Sequence, residues 1–140
     1  VMVIFGAPDD MTPRQQGRRA AACALAMQRA LVELNQSWAE RGIETLDIRV
    51  GIHHGPAIVG NFGSAQRLDY TAIGDTVNIA ARIETHGEPG QILVSGVTAD
   101  LLPEQAVEDA GTFTLKGIDQ PMPLYRVLAE GASALEEEAA

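Results

Sequence analysis

The run RLDYTAIGDTVNIAARIE, residues 67–84, changes from a strand-like to a helical pattern within one short stretch. Residues 68–73 predict a strand, and Asp75 is placed to cap the helix that follows. The apolar side of this helix carries Thr76, Ile79, Ala80 and Ile83. Asn78 and Arg82 are four residues apart and therefore lie one above the other on the opposite, polar side. On spacing alone, this is equally the pattern of a capped surface helix with an exposed Asn and Arg.

Upstream of this run, the sequence predicts one long helix and several strands. The helix spans Gln15–Arg41, and its apolar side is expected to pack on a sheet through Ala20, Ala24, Met27, Leu31, Leu34 and Trp38. Leu46–His53 alternates apolar and polar residues, so we expect a half-buried strand that turns at 54–56 and pairs with Ala57–Gly60 as a hairpin. Residues 61–67 are expected to form a loop. Val1–Gly6 is an apolar, β-rich run and predicts a strand whose neighbours precede this sequence.

Downstream, three strands and a short helix complete the pattern. Gln91–Ser95 is short and apolar, which predicts an internal strand. Thr98–Leu102 predicts a short helix, and Phe113–Lys116 and Pro123–Leu128 predict a closing hairpin around the turn at 117–121. The order of elements predicts an α+β fold with helices on one face of a mainly antiparallel sheet.

Composition narrows the function classes. The chain has 140 residues, 46% hydrophobic and 21% charged, which is typical of one globular domain. No apolar run approaches the ~18 residues of a membrane span, so no membrane contact is expected from this segment. The net charge of −9 argues against nucleic-acid binding, and six aromatic residues are too few for a stacking RNA-binding surface. The single Cys23 is expected to be a buried thiol in a reducing compartment.

The sequence also predicts where the domain ends and whether its two adjacent histidines bind a metal ion. Residues 1–128 are expected to form the domain, and residues 129–140, which carry four glutamates, an acidic, disordered tail or linker. His53 and His54 are adjacent on a strand and point to opposite faces, so they are not expected to chelate one ion together.

Five stretches in order closely resemble the class III nucleotidyl cyclase catalytic domain, the adenylate and guanylate cyclase family. They lie at residues 1–8, 51–61, 67–84, 90–95 and 115–117. This resemblance extends to about Val127 and implies a ferredoxin-like α+β domain whose first strand and helices precede Val1. It also implies the activity: the ribose 3′-oxygen of ATP attacks the α-phosphorus, and cyclic AMP and pyrophosphate form.

The resemblance also assigns roles to individual residues. Arg82 matches the family's transition-state arginine, and Asn78 matches the asparagine that orients the ribose. Thr71 matches a base-recognition position at which adenylate cyclases generally carry Thr or Asp. Lys116, the chain's single lysine, matches the residue that binds the terminal phosphates.

Two more positions and one departure complete this assignment. Ala72 and Val77 match the lining of the purine pocket. Ile118 stands where many relatives carry another basic residue, which implies weaker phosphate binding.

The family's two metal-binding aspartates, which hold two Mg²⁺ or Mn²⁺ ions, are expected upstream of Val1. None of the aspartates tested against those motifs fits: Asp9, Asp10, Asp47 and Asp69. Family members form head-to-tail homodimers with shared sites, so we expect this chain to supply the Asn/Arg/Thr/Lys half and to be inactive alone. A cytoplasmic adenylate cyclase is the expected function. A catalytically inactive regulatory cyclase-like domain and a guanylate cyclase are the alternatives.

Overall fold

A four-stranded mixed sheet organises residues 1–139, the part of the chain that the computed structural model describes. A separate two-stranded hairpin stands beside it. The helices and strands in chain order are α1 (Pro13–Glu40), β1 (Val50–Ile52), β2 (Ile58–Ser64), β3 (Arg67–Ile73), α2 (Asp75–His86), β4 (Ile92–Ser95), α3 (Gly96–Ala99), β5 (Val107–Phe113), β6 (Met122–Val127) and α4 (Ala132–Ala139). Single 3₁₀ turns lie at Glu104–Ala106 and Ala129–Gly131.

The strands of the main sheet follow the order β1-β4-β6-β5. The β1–β4 pair is parallel, whereas β4–β6 and β6–β5 are antiparallel. All four residues of β4 are buried, as the continuous apolar run predicted for an internal strand. The expected α+β class and mainly antiparallel sheet are therefore confirmed.

Helices α1 and α2 pack against opposite faces of this sheet. Alternate residues of β4 separate them: Ile92 and Val94 join the core that contains α1 and α4, whereas Leu93 joins the core that contains Ile83 of α2. The expectation that the helices share one face is therefore wrong. The continuous apolar run of β4 is typical of a strand that is covered on both faces, whereas the apolar sides of α1 and α2 do not show which face each helix covers.

Helix α1 begins with a capping box. The Gln15 amide donates to Thr12 Oγ1 at 3.2 Å, and the Thr12 amide donates to Gln15 Oε1 at 3.0 Å. The apolar side is buried only in its first half, at Ala20 and Ala24, whereas Met27 and Leu34 are exposed. The expected six-residue core face is therefore wrong in its second half. No helix among the described residues is both long and apolar enough to cross a bilayer.

The hairpin predicted between β1 and β2 does not form. Instead β2 pairs with β3, with Ser64 opposite Arg67 across the two-residue turn at 65–66, so the expected loop at 61–67 is largely strand. That turn is Ala-Gln and lacks the Asn-Gly or Asp-Gly signature of a tight hairpin. Gly63, at φ +135°, supplies the unusual backbone conformation two residues before this turn begins.

Three other boundaries shift. Strand β1 covers only 50–52, and Leu46, expected to point inward, is exposed. Val1–Gly6 forms no strand, because a strand needs hydrogen-bonding neighbours and no described residue pairs with it. The short helix starts at Gly96 rather than Thr98. Strand β5 spans Val107–Phe113, so it ends where the predicted strand began and Lys116 lies in the connection after it.

The acidic C-terminal segment also differs from expectation. Residues 132–139 form α4, which contacts α1. Leu135 is fully buried in the core that contains α1. Arg29 of α1 pairs with Glu136 at 2.9 Å. The segment was expected to be disordered because of its charge, but Ala132 and Leu135 give its helix an apolar side that packs.

Gly51 of β1 provides a direct test of how closely α2 lies on the sheet. A Cβ at this position would overlap the backbone of Ala80 and Glu84 in α2, and backbone atoms cannot move aside singly. We expect Gly51→Ala to lower the free energy of unfolding in urea by about 1–3 kcal/mol. Gly60→Ala is the matched control, because nothing lies within 4 Å of its added methyl group. Equal stability of the two variants would contradict the packing described.

Candidate active site

Helix α2 is fixed to the sheet at its first turn. Gly74, at φ +137°, is the N-cap residue, and Asp75, expected to be the cap, is instead the first helical residue. Thr76 Oγ1 donates a hydrogen bond to the carbonyl oxygen of Pro56 at 2.6 Å. This bond ties α2 to the connection between β1 and β2. Sequence reasoning treated Thr76 only as part of the apolar side.

The polar side of α2 carries the two candidate catalytic residues. Asn78 is exposed and Arg82 is half-buried one turn later, as their spacing predicted. The Thr85 hydroxyl donates to the Arg82 carbonyl oxygen at 2.7 Å. Both side chains therefore project from a helix rather than from a loop.

An apolar cluster connects this helix to the turn that carries Lys116. We call it the α2 cluster, and its members are the buried Ile83, Leu93, Leu115 and Leu124 with the half-buried Ile79, Ala110, Phe113, Ile118 and Met122 around them. Leu115 and Ile118 thus anchor both ends of the turn, and the Ile118 amide donates to the Leu115 carbonyl oxygen at 3.1 Å. Lys116 and Gly117 lie between these anchors. The cluster holds the turn against α2.

Arg82 lies directly over this turn. A Cβ built on Gly117 would be 3.3 Å from Arg82 Nη1 and 3.6 Å from both Cζ and Nη2. Lys116, the residue before Gly117, is exposed. Among the side chains that the structure describes, no carboxylate forms an ion pair with Arg82 or Lys116. The fold therefore places two cations that are 34 residues apart in sequence next to the same turn.

The remaining candidate residues lie on the other side of α2. Ala72 of β3 is buried and Val77 of α2 is half-buried, and both line a cleft of about 950 Å³ together with Val59. Thr71 is half-buried opposite Gly60 in the hairpin and does not line this cleft. The structure thus groups Ala72 with Val77, and Arg82 with Lys116, but it does not bring Thr71 into contact with the Arg82 pair.

His53 and His54 belong to a polar network at one end of the cleft. His53 Nδ1 lies 2.7 Å from Ser95 Oγ, which lies 2.9 Å from Thr98 Oγ1. His54 Nε2 lies 2.9 Å from Gln16 Oε1 on α1. The two rings thus have separate partners, and this network joins strand β1 to α1 and β4.

The described residues do not fit a divalent-metal centre. Among the side chains that the structure describes, at residues 1–136, no group of three or more His, Cys, Asp or Glu could hold a metal ion. Two-metal phosphoryl chemistry requires carboxylate oxygens around each ion. No reaction step is therefore derived through a metal held by this chain.

The pKa of His53 is lowered, first by burial and second by the neighbouring His54. Because the folded state then binds this proton less readily than the unfolded chain, the stabilising contribution is full above about pH 6.5 and is lost as the pH falls through the lowered folded value. We expect wild-type protein to lose more unfolding free energy between about pH 7.5 and 5 than His53→Asn does. The exposed Gln36→Ala is the control, and it should retain the wild-type slope because it removes no titratable group. A His53→Asn slope equal to that of wild type would contradict this account.

Comparison with known proteins places this arrangement in a family. The profile described as Adenylate and Guanylate cyclase catalytic domain matches residues 1–129. Adenylate cyclase 1 of Rhizobium meliloti (strain 1021) is 34% identical over 131 residues, which cover 91% of this chain and 19% of that protein. The chain thus spans about a fifth of that relative's length.

Solved structures give the same result. The adenylyl cyclase CyaB from P. aeruginosa superposes with a TM-score of 0.82 at 36% identity, over 89% of this chain and 64% of that one. The guanylyl cyclase Cya2 superposes with a TM-score of 0.79 at 36% identity, over 88% of this chain and 62% of that one. Sequence, fold and the order of the motifs agree, and the chain belongs to the family of adenylate and guanylate cyclase catalytic domains.

Proposed function

We propose that the protein containing this chain is an adenylate cyclase and that the chain supplies one half of its catalytic site. The observation that carries the proposal is the position of the Arg82 guanidinium over the Lys116–Gly117 turn. Two cations held at one turn by a shared apolar cluster suit a polyphosphate, which carries several negative charges over a few ångströms. The similarity to Adenylate cyclase 1 and to CyaB supports ATP as the substrate.

Arg82 and Lys116 take different roles in this proposal. The planar Arg82 fork donates to oxygens around the reacting α-phosphorus, where negative charge develops in the transition state. The flexible Lys116 ammonium binds the terminal phosphates and stabilises the departing pyrophosphate. Because Ile118 replaces a second cation, Lys116 and Arg82 provide the positive charge at this turn.

Asn78 and Thr71 orient the two other parts of the nucleotide. Asn78, one helical turn before Arg82, holds the ribose so that its 3′-oxygen faces the α-phosphorus, which makes the attack effectively unimolecular. We assign base recognition to the Thr71 hydroxyl group and to the apolar side chains of Ala72 and Val77, which line a cleft that Thr71 does not line. Since the base and phosphate residues lie in separate parts of the described structure, we propose that one subunit does not complete the site.

The reaction balances within one nucleotide. The 3′-oxygen forms a bond to the α-phosphorus, and the bond from that phosphorus to the oxygen bridging to the β-phosphate breaks. The hydroxyl proton leaves, and cyclic AMP and pyrophosphate result. Two divalent ions, Mg²⁺ or Mn²⁺, would supply charge neutralisation; we propose that their aspartate ligands lie outside this sequence. Cytoplasmic ATP is the proposed nucleotide pool.

The hairpin of β2 and β3 supports a dimeric site. It carries four large apolar side chains that are close to half exposed or more, namely Ile58, Leu68, Tyr70 and Ile73. Exposed apolar side chains grouped on one projecting element are typical of an interaction surface. We propose that two subunits associate head to tail through this hairpin, so that each contributes Asn78 and Arg82 to a site completed by the other.

A guanylate cyclase is the second candidate, because Cya2 matches this chain as well in identity as CyaB does. The ratio of kcat/KM for ATP to that for GTP separates the two candidates. A ratio well above one supports the adenylate assignment, and a ratio below one replaces it with the guanylate assignment. A regulatory domain would convert neither nucleotide.

Arg82→Ala in the full-length protein tests the catalytic assignment. Loss of a donor to the transition state should lower kcat for cyclic AMP formation about 10²–10³-fold, with a smaller change in KM. Arg41→Ala is the matched control, since it removes the same charge from an exposed position at the end of α1. A kcat for Arg82→Ala within about threefold of the control, under 1 kcal/mol of barrier, would overturn the proposal.

A further inference from the structure

Gly117 lies where an added side chain would meet the Arg82 guanidinium. Its ideal Cβ position is 3.3–3.6 Å from three guanidinium atoms, Nη1, Cζ and Nη2. These three distances place the Cβ position out of the guanidinium plane, beside its face. The N–H donors of a guanidinium lie in its plane. Gly117 therefore borders the face of the group and leaves its donors unobstructed by a side chain at this position.

The backbone of Gly117 explains why the turn can come so close. Its φ of +78° is a conformation that side chains disfavour, and the absence of a side chain leaves open space next to the Arg82 guanidinium. Leu115 and Ile118, anchored in the α2 cluster, prevent the turn from moving away. The contact is therefore set by the fold and does not depend on a hydrogen bond.

We propose that Gly117 is a positioning residue, whose missing side chain forms the surface against which the Arg82 guanidinium is oriented for catalysis. This inference rests on the proposed function of Arg82. A Cβ at position 117 would be 3.3 Å from Nη1, which requires the guanidinium to shift by a few tenths of an ångström, and a longer side chain that extends toward Arg82 would shift it further. A displacement of about 1 Å can cost on the order of 10²-fold in rate when the group acts on a transition state.

Gly117→Asn tests this role with little backbone strain, because asparagine tolerates positive φ better than other side chains. Gly42→Asn is the matched control: Gly42 has φ +70°, and nothing lies within 4 Å of its Cβ position. We expect Gly117→Asn to lower kcat for cyclic AMP formation by about 10–100-fold with KM for ATP changed less than about twofold. The control should keep wild-type kcat and KM.

Two measurements separate positioning from misfolding. In ¹⁵N-labelled protein, the Arg82 Nε–Hε resonance, identified by its absence in Arg82→Lys, should shift in Gly117→Asn and not in Gly42→Asn, while the remaining amide spectrum shows a folded protein. In an Arg82→Ala background, Gly117→Asn should cost no further kcat, because the group it displaces is gone.

The outcomes also separate this inference from the proposed function. An unshifted Arg82 resonance in Gly117→Asn, or an undiminished loss of kcat in the Arg82→Ala background, overturns the positioning role. If Arg82→Ala remains active, and Gly117→Asn in the otherwise wild-type protein still shifts the Arg82 resonance, the catalytic assignment is overturned and the positional one is retained.

Discussion

The α2 cluster is the constraint on which the candidate site depends. Ile83 of α2 and Leu115 of the distant turn are both buried against Leu93 and Leu124 of the central strands. Fully burying one side chain of this size stabilises the fold by about 1.5–3 kcal/mol, which is well above the contribution of a surface ion pair. Two like-charged side chains do not attract each other, so this apolar contact must bring Arg82 and Lys116 to the same turn.

Opposite-face packing explains how the sheet can support this arrangement. One face is covered by α1 and α4 around Ile92 and Val94, and the other by α2 and the Lys116–Gly117 turn. The two faces meet in β4, whose residues are all buried. The site side of the molecule is thus backed by a completely packed strand, and its helix is held at the start by the Thr76–Pro56 bond.

Local patterns predicted the elements whose signals are local. The apolar spacing of α2 and the continuous apolar run of β4 lie within the elements themselves. So does the four-residue spacing that puts Asn78 and Arg82 on the same side of α2. Partner choice was not predictable in this way: Val59 and Ala72 pair across a turn with no recognised signature, and the alternation in β1 fits either an antiparallel or a parallel neighbour. Helix α4 was not predictable from its own sequence either, because it is stabilised by packing Leu135 into the core that contains α1.

The same distinction applies to the site. Helical spacing relates Asn78 to Arg82, but no spacing rule relates either residue to Lys116; family resemblance suggested that link, and the α2 cluster accounts for it physically. Gly117 was missed because a glycine after a lysine resembles any turn. Its importance depends on the Arg82 guanidinium, which lies 3.3 Å from the position that a Cβ would take, and only the fold reveals this.

Native-state hydrogen exchange tests most directly whether the α2 cluster joins the helix to the turn. Leu115→Ala removes a buried member of the cluster without touching either cation. The account predicts that it lowers the protection of the Ile118 amide and of the α2 amides of Arg82 and Ile83 by the same factor, while the β2–β3 ladder keeps its protection. Loss of protection at Ile118 with α2 unchanged would show that helix and turn open independently, and would contradict the account.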